Sequence, residues 1–352
     1  MIIHSKRYDY QVNIKNDFSF LKPLLESENS FIVIDLKVYN LYKKIHFEGI
    51  PANNLMIIEA TESNKTLDTA MSICEKMTLI AAKRNAKLIS IGGGIIQDIT
   101  GFIASVLYRG ISWTYVPTTL LAACDSCIGG KTSLNYHKYK NLLGTFYPPK
   151  TIHICSDFFD TLDDLDLLSG LGEIVKFYFM GGQNSLQEIE NNIDYLIQKD
   201  KQVISKFVET SLLFKKPFIE EDEFDEGSRI KLNFAHTFGH AIETVTGYAI
   251  PHGTAVAIGI VLANRVSVKR GELSELTAKR CEKVLKKIIK TNVRLNQYST
   301  DQYIDAMRKD KKQISQNLTA ILMYGEGMNV KLVHNLLPVE IIDAFDYFDR
   351  IL

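Results

Sequence analysis

Two histidines stand four residues apart in "NFAHTFGHAIE" (233–243). Four residues is about one helical turn, so His236 and His240 share a face if the run is helical. That spacing serves two ligands of one metal ion, and equally two packed core side chains. A second chemical signal is "LISIGGGIIQDITGF" (88–102): a strand, three glycines and a helix start. Glycines at such a bend let backbone approach a ligand closely, and the free N–H groups of the next helix suit a phosphate. The stretch is not GxGxxG, so the usual dinucleotide fingerprint is absent, and a plain tight turn reads equally well. The third signal is "VPTTLLAACDSCIGGKTSLNYHKYKNLLGTFYPPK" (116–150). It gathers Thr118, Thr119, Asp125, Lys131, Asn135, Lys140 and Asn141 among glycines and prolines. Cations and amide donors recurring in one loop favour an anionic ligand over a merely solvated segment. Its Cys124 and Cys127 form a lone CxxC with no second pair, which reads as two small buried thiols rather than a zinc site.

These residues need elements to hold them. "FIVID" (31–35), "LMIIE" (55–59), "KLISI" (87–91), "ISWTYVP" (111–117) and "TIHIC" (151–155) read as buried strands. "DTAMSICEKMTLIAAKRN" (68–85) and "IQDITGFIASVLYRG" (96–110) read as helices, the second ending at Gly110. The alternation predicts a mainly parallel, Rossmann-like sheet. From about residue 164 the pattern becomes amphipathic and helical, and "RIKLNFAHTFGHAIETVTG" reads as one such run. On that helix Arg229 and Asn233 would share a face one turn before His236. A β signal returns only weakly at "TAILMY" (319–324). The reading is thus a Rossmann-like domain over 1–157 and a mainly helical domain over 158–352.

Bulk properties narrow the function class. The 352 residues are 46% hydrophobic and 23% charged, enough for two cores. Lys+Arg and Asp+Glu both number 41, so nothing global points to nucleic acid or a membrane surface. No apolar run reaches the roughly 20 residues of a membrane span, and the N-terminus lacks the apolar core of a signal peptide, so a cytoplasmic location is expected. Five scattered cysteines do not form a disulfide framework.

Taken in order, "ESNKTL" (62–67), "GGGIIQDITGF", "LYRG" (107–110), "VPTTLLAACDSCIGGKTSLN", "KNLLGTFYPPK" (140–150), "GLGEIVKF" (170–177), "LNFAHTFGHAIE" (232–243), "PHGTAVAIG" (251–259) and "DKK" (310–312) resemble the 3-dehydroquinate synthase family of sugar-phosphate cyclases. The resemblance covers nearly the whole chain. It implies a Rossmann-like NAD domain followed by an all-helical metal-binding domain. It implies metal ligands Glu173, His236 and His252, holding Zn²⁺ or Co²⁺, with His240 left as a hydrogen-bond or proton-transfer partner. One carboxylate and two imidazoles leave the open position that a catalytic zinc requires. For NAD the resemblance implies Asp35, Glu62, Lys65, Gly93, Gly94, Asp98, Thr118, Thr119, Asp125, Lys131, Lys140, Phe158, Thr161 and Leu162. On spacing alone Glu62 and Lys65 would be an exposed pair at a helix start.

For substrate the resemblance implies Arg109, Lys131, Asn141, Lys176, Lys215, Arg229, Asn233, His240, Lys311 and Lys312. The usual substrate is a seven-carbon keto-sugar acid phosphate, and a carboxylate at one end with a phosphate at the other needs cations at both. The family reaction uses NAD catalytically: a hydroxyl is oxidised, phosphate is eliminated, hydride returns, and an aldol closes the carbocycle. A homodimer is expected, with Arg109 a candidate to reach the neighbour's site. Several positions depart from the family pattern: Lys37, Gln97, Cys124, Cys127, Asp225 and Thr254, the last standing where glutamate is usual. A sister cyclase acting on another sugar phosphate and an NAD-binding regulator with a dead site are the alternatives. Arg229, Asn233 and Lys131 favour a carboxylate substrate over the first, and the Glu-His-His set argues against the second.

Overall fold

The computed structural model describes residues 1–79, 84–137, 139–309 and 317–351. The chain forms two compact units. One comprises Met1–Leu162 with Lys216–Phe224, the other Asp163–Lys215 with Asp225–Leu352. Segment 158–162, read from sequence with the helical domain, falls in the first unit. The cause is packing: Phe158 is buried edge-on against Phe18 and Tyr42.

The first unit carries strands β1 (Ile2–Ile3), β2 (Tyr10–Lys15), β3 (Ser30–Asp35), β4 (Leu55–Ile58), β5 (Lys87–Gly92), β6 (Ser112–Pro117), β7 (Lys131–Tyr136), β8 (Tyr139–Phe146) and β9 (Thr151–Cys155). Seven form one sheet in the order β1-β2-β9-β6-β5-β3-β4, parallel except for β1 against β2. The inner strands β3 and β5 are near-continuous apolar runs, as a parallel sheet covered on both faces demands. Helices α1 (Leu21–Leu25), α2 (Leu36–His46), α3 (Leu67–Leu79) and α4 (Gly94–Val106) connect or flank them. The predicted helix over 68–85 is present to Leu79, and residues 80–83 lie outside the described residues. The helix expected to reach Gly110 ends at Val106, because Tyr108 and Arg109 adopt left-handed φ of 50° and 64°. Part of the 116–150 loop is not a loop: β7 and β8 form an antiparallel hairpin.

The second unit is mostly helical: α5 (Asp164–Met180), α6 (Gln183–Ile197), the larger part of α7 (Lys201–Glu221), α8 (His236–Val245), α9 (His252–Lys269), α10 (Glu275–Ile288), α11 (Thr300–Arg308) and α12 (Pro338–Ile351). It is not all-helical. Strands β10 (Leu318–Tyr324) and β11 (Asn329–Leu336) make an antiparallel hairpin whose first strand is buried almost throughout. Helices α5 and α9 are buried along most of their length, Leu167–Phe179 on one and Gly253–Asn264 on the other. A helix apolar all round belongs in a core. Glycines bring these helices together. A Cβ on Gly172 would lie 2.0 Å from the Gly253 carbonyl oxygen, and one on Gly253 would lie 1.7 Å from that of Ser169. A Cβ on Gly259 would similarly meet the Ala235 carbonyl oxygen at 2.5 Å.

The run "RIKLNFAHTFGHAIETVTG" is broken in two. Ser228–Asn233 is a 3-10 helix, Phe234 is extended, and Ala235 sits in the left-handed region at φ 67° before α8 begins at His236. In a 3-10 helix residues i and i+3 eclipse, so Arg229 and Asn233 do not share the face expected of an α-helix.

Candidate active site

Glu173, His236 and His252 come from three different helices. Glu173 follows Gly172 on α5, and His252 precedes Gly253 at the first residue of α9, so the glycine contact brings the two side chains together. His236 is the first residue of α8. The Glu173 Oε1 lies 3.3 Å from His252 Nε2 and 3.5 Å from His236 Nε2. A tetrahedral ion with bonds of roughly 2.05 Å has ligand–ligand edges of about 3.3 Å. The two edges to Glu173 therefore match the spacing that one zinc-like cation would impose, and all three donor atoms lie within 4.8 Å of one another. Glu173 is fully buried, and among the described residues no well-angled hydrogen bond reaches either of its oxygens. The Lys176 Nζ, also buried, lies 2.5 Å from Oε2 and leaves Oε1 to the two imidazoles. Burial alone would raise the Glu173 pKa, but Lys176 and His252 outweigh it and keep the carboxyl ionised. A buried carboxylate oxygen aimed at two imidazole nitrogens fits a divalent metal.

Both imidazoles are held at their far nitrogens. His236 Nδ1 lies 3.1 Å from the Phe234 carbonyl oxygen, and His252 Nδ1 lies 3.2 Å from Glu243 Oε2. Donating from Nδ1 leaves Nε2 as the lone-pair atom that a metal needs. His240, one turn along α8, packs its ring 5.3 Å from that of His236 and 6.1 Å from that of His252. It is absent from the Glu173 donor set, although His240, Glu243 and His252 form a second convergent group. The answer to the histidine pair is thus divided: one of the two converges on Glu173, the other stands beside it.

Cations surround this centre in the sequence and are buried in the fold. Lys176, Lys215 and Arg229 are only 2%, 6% and 4% exposed. Buried charges are costly unless paired, and the Lys176 ammonium has the Glu173 carboxylate. Asn233 donates to the Ile230 carbonyl oxygen at 3.1 Å. Lys311 and Lys312 lie outside the described residues. Thr254, two residues after His252, is buried, and its hydroxyl has no partner among the described residues.

In the first unit a polar network ties three of the sequence signals together. The buried Lys65 pairs with Asp98, and its Nζ also donates to Asn141 Oδ1 at 2.6 Å. Glu62 has different partners: Asn135 Nδ2 donates to it at 2.9 Å, and Lys140 Nζ lies 3.6 Å away. So Glu62 and Lys65 are not a simple exposed pair. Ser133 donates to Asp98 Oδ2 at 2.9 Å and to Asn141 Oδ1 at 2.8 Å. Burial pushes the Asp98 carboxyl up, with Lys65 opposing. Asn141, assigned from sequence to substrate, therefore sits with Lys65 and Asp98 of the cofactor set. Lys131 and Arg109 are exposed, on β7 and just beyond α4. Asp35 ends β3 and caps α2, accepting from the Lys37 backbone N–H at 3.2 Å. Thr161 Oγ1 bonds to the Tyr42 hydroxyl at 3.1 Å, and Leu162 lies just after it.

Gly93 and Gly94 open α4 directly after β5. A Cβ on Gly93 would meet Thr119 Cγ2 at 3.0 Å, so glycine lets this turn and the Thr118–Thr119 segment lie close. Asp125 lies in a π-helical turn, Ala122–Ser126. The departure at Gln97 has a local rationale. Its amide donates to the Ser126 carbonyl oxygen and accepts from the Ser126 hydroxyl, both at 2.7 Å, joining α4 to that turn. Cys124 and Cys127 are buried thiols bonding to the carbonyl oxygens of Leu121 and Ala123.

Two participants escaped the sequence reading. Ser133 shares a strand face with Lys131 and Asn135, a period-2 signal that only a β7 assignment would expose. Glu243 lies seven residues after His236, two turns along one helical face, and that spacing was available in "HTFGHAIE".

A parallel-sheet α/β unit with a mainly helical unit is the architecture of the sugar-phosphate cyclases, which are lyases. Residues 55–169 match the model of the 3-dehydroquinate synthase N-terminal region, and residues 170–313 that of the C-terminal region. The chain belongs to the 3-dehydroquinate synthase family. It is 34% identical over 348 residues to the 3-dehydroquinate synthase of Dictyoglomus thermophilum, covering 97% of this chain and 96% of that one. It is 36% identical over 273 residues to that of Methylococcus capsulatus, covering 77% and 76%. Among solved structures, the 2-epi-5-epi-valiolone synthase of Streptomyces hygroscopicus subsp. jinggangensis 5008, with NAD+ and Zn2+ bound, shares the fold at TM-score 0.85, with 23% identity and 99% of both chains covered.

Proposed function

We propose that this enzyme converts 3-deoxy-D-arabino-heptulosonate 7-phosphate to 3-dehydroquinate and inorganic phosphate, using NAD and one divalent metal ion. The observation that carries the reading is the alignment of nearly the full chain with a 3-dehydroquinate synthase. Glu173, His236 and His252 would hold the metal, Zn²⁺ or Co²⁺, which would supply Lewis-acid polarisation. The Gly93–Gly94 turn and the polar residues around Lys65 and Asp98 would hold NAD, which would supply reversible hydride transfer and leave the overall reaction redox-neutral.

The chain's own residues do the rest. Arg229 meets the substrate carboxylate, for which a planar fork of donors is suited. Lys176 and Lys215 stabilise further negative charge, and Lys176 also keeps Glu173 ionised. His240 stands beside the donor set as the proton-transfer group. Lys131 and Arg109 carry the remaining cations for the substrate, and Asn141 belongs with Lys65 and Asp98 on the cofactor side. Among the described residues no helix is long and apolar enough to cross a membrane. The same reading includes a cytoplasmic homodimer with a small-molecule substrate and no nucleic-acid partner.

The test is phosphate release from the heptulosonate phosphate with the product identified by NMR. One NAD per site should support many turnovers without net NADH, whereas stoichiometric NADH would indicate a simple dehydrogenase. Sedoheptulose 7-phosphate, which lacks the carboxylate, should turn over far more slowly. Equal rates on both sugars would replace this reading with a cyclase of neutral sugar phosphates.

A further inference from the structure

We propose that Glu243 is a positioning residue for metal binding, fixing the tautomer and aim of His252. The inference rests on the assignment of Glu173, His236 and His252 as the metal-holding set. His252 is gripped at both ring nitrogens, 3.2 Å from Glu243 Oε2 at Nδ1 and 3.3 Å from Glu173 Oε1 at Nε2. The two grips have opposite consequences. A carboxylate at Nδ1 fixes the N–H there and makes Nε2 a stronger donor. The other histidine takes the same support from a backbone carbonyl, Phe234, which no side-chain change removes. Glu243 is therefore a support of His252 that a side-chain change can remove.

The placement of Glu243 follows from the helices. It lies in the last turn of α8, and the Gly259–Ala235 approach brings α8 and α9 close enough for its side chain to reach the first residue of α9. Its carboxylate is mostly buried, 14% exposed, so its negative charge is not spent on solvent. Without an acceptor at Nδ1, His252 can place its proton on Nε2 or swing away, and either removes a ligand.

The experiment measures Zn²⁺ affinity by chelator competition and Co²⁺ coordination by visible absorption, on wild type, His236→Ala, Glu243→Met and Glu243→Gln. Methionine keeps the shape but not the acceptor, whereas glutamine keeps an acceptor oxygen. Glu243→Met should weaken Zn²⁺ binding about 10- to 100-fold and alter the Co²⁺ spectrum. Glu243→Gln should recover affinity to within about threefold of wild type. A merely steric role would be met by methionine as well as by glutamine. Unchanged affinity and spectrum in Glu243→Met, with metal lost in His236→Ala, would overturn the role of Glu243 alone. Wild-type affinity in His236→Ala would overturn the ligand assignment beneath it. Two bound Zn²⁺ per wild-type chain and one in Glu243→Met would make Glu243 a ligand of a second ion, formed with His240, and would also overturn the proposal.

Discussion

Replacing Gly253 by alanine should disable the metal centre without touching any donor. The new Cβ would fall 1.7 Å from the Ser169 carbonyl oxygen and 2.6 Å from its carbonyl carbon. These are backbone atoms of α5, so no side chain can rotate away. Ordinary contact begins near 3.4 Å, so α5 and α9 must part by about 1.7 Å along that line. Passing half of that to the adjacent side chains takes His252 Nε2 and Glu173 Oε1 from 3.3 Å to about 4.1 Å, beyond a tetrahedral edge. Overpacking of this kind costs about 1–3 kcal/mol, within a usual stability of about 5–15 kcal/mol, so the chain should still fold. Misplacement near 1 Å costs roughly 100-fold in rate. The assay pairs Zn²⁺ affinity with phosphate release, with a thermal melt and NAD affinity as controls. Gly172→Ala, whose Cβ would lie 2.0 Å from the Gly253 carbonyl oxygen, should behave alike. Zn²⁺ affinity within threefold of wild type, with undiminished turnover in both variants, would refute the claim that helix approach sets the donor spacing.

Other perturbations separate the remaining roles. His236→Ala should lose metal by elemental analysis, whereas His240→Ala should keep metal and lose rate. Arg229→Ala should lower kcat/KM by roughly two to three orders of magnitude, since a desolvated carboxylate left without its cation costs on the order of 3–5 kcal/mol, while metal content and NAD affinity hold. Arg270 grips Glu340 of α12 at 2.6 and 2.7 Å. Burial would raise the Glu340 pKa, but Arg270 outweighs it and the net shift is downward. A depressed carboxyl contributes stability that is present above its unfolded pKa of about 4.3 and is lost as pH falls through the folded value. The melting temperature should therefore fall less between about pH 6 and about pH 3.5 in Glu340→Gln than in wild type, measured by calorimetry. An equal fall would mean the pair contributes nothing to acid stability.

The parallel sheet was legible because its inner strands are buried on both faces and so appear as unbroken apolar runs, such as 31–35 and 87–91. The hairpin β7–β8 was not. Its residues are largely polar or exposed, and side-chain bonds among Ser133, Asn135 and Asn141 join its two strands beside the ladder. Strand β2 hid for another reason: only Tyr10 and Val12 of its six residues are buried, too short an alternation to stand out. The break before His236 left no mark because Ala235 takes a left-handed conformation that sequence signals reserve for glycine or asparagine. The convergence of Glu173, His236 and His252 was anticipated by the resemblance of motifs. Glu243 offered a signal in its spacing from His236, but a glutamate near a helix end normally reads as solvent-facing and so it was passed over.

The membership of Lys216–Phe224 in the first unit bears on the order in which the protein is made. Strand β2 pairs with β9, some 140 residues later, so the sheet cannot close until Cys155 has been synthesised. The N-terminal arm waits longer still. The Ser5 hydroxyl and the Lys6 backbone N–H both donate to Glu223, and the His4 backbone N–H donates to Glu220. These partners follow α5, α6 and most of α7 in the chain. At ribosomal speeds of about 5–20 residues per second, the arm spends seconds without them while the helical unit is already emerging. A fragment cut at residue 162 would thus carry the whole seven-stranded sheet and still lack the acceptors for its first residues, which makes the early helices of the second unit a necessary interlude in completing the first.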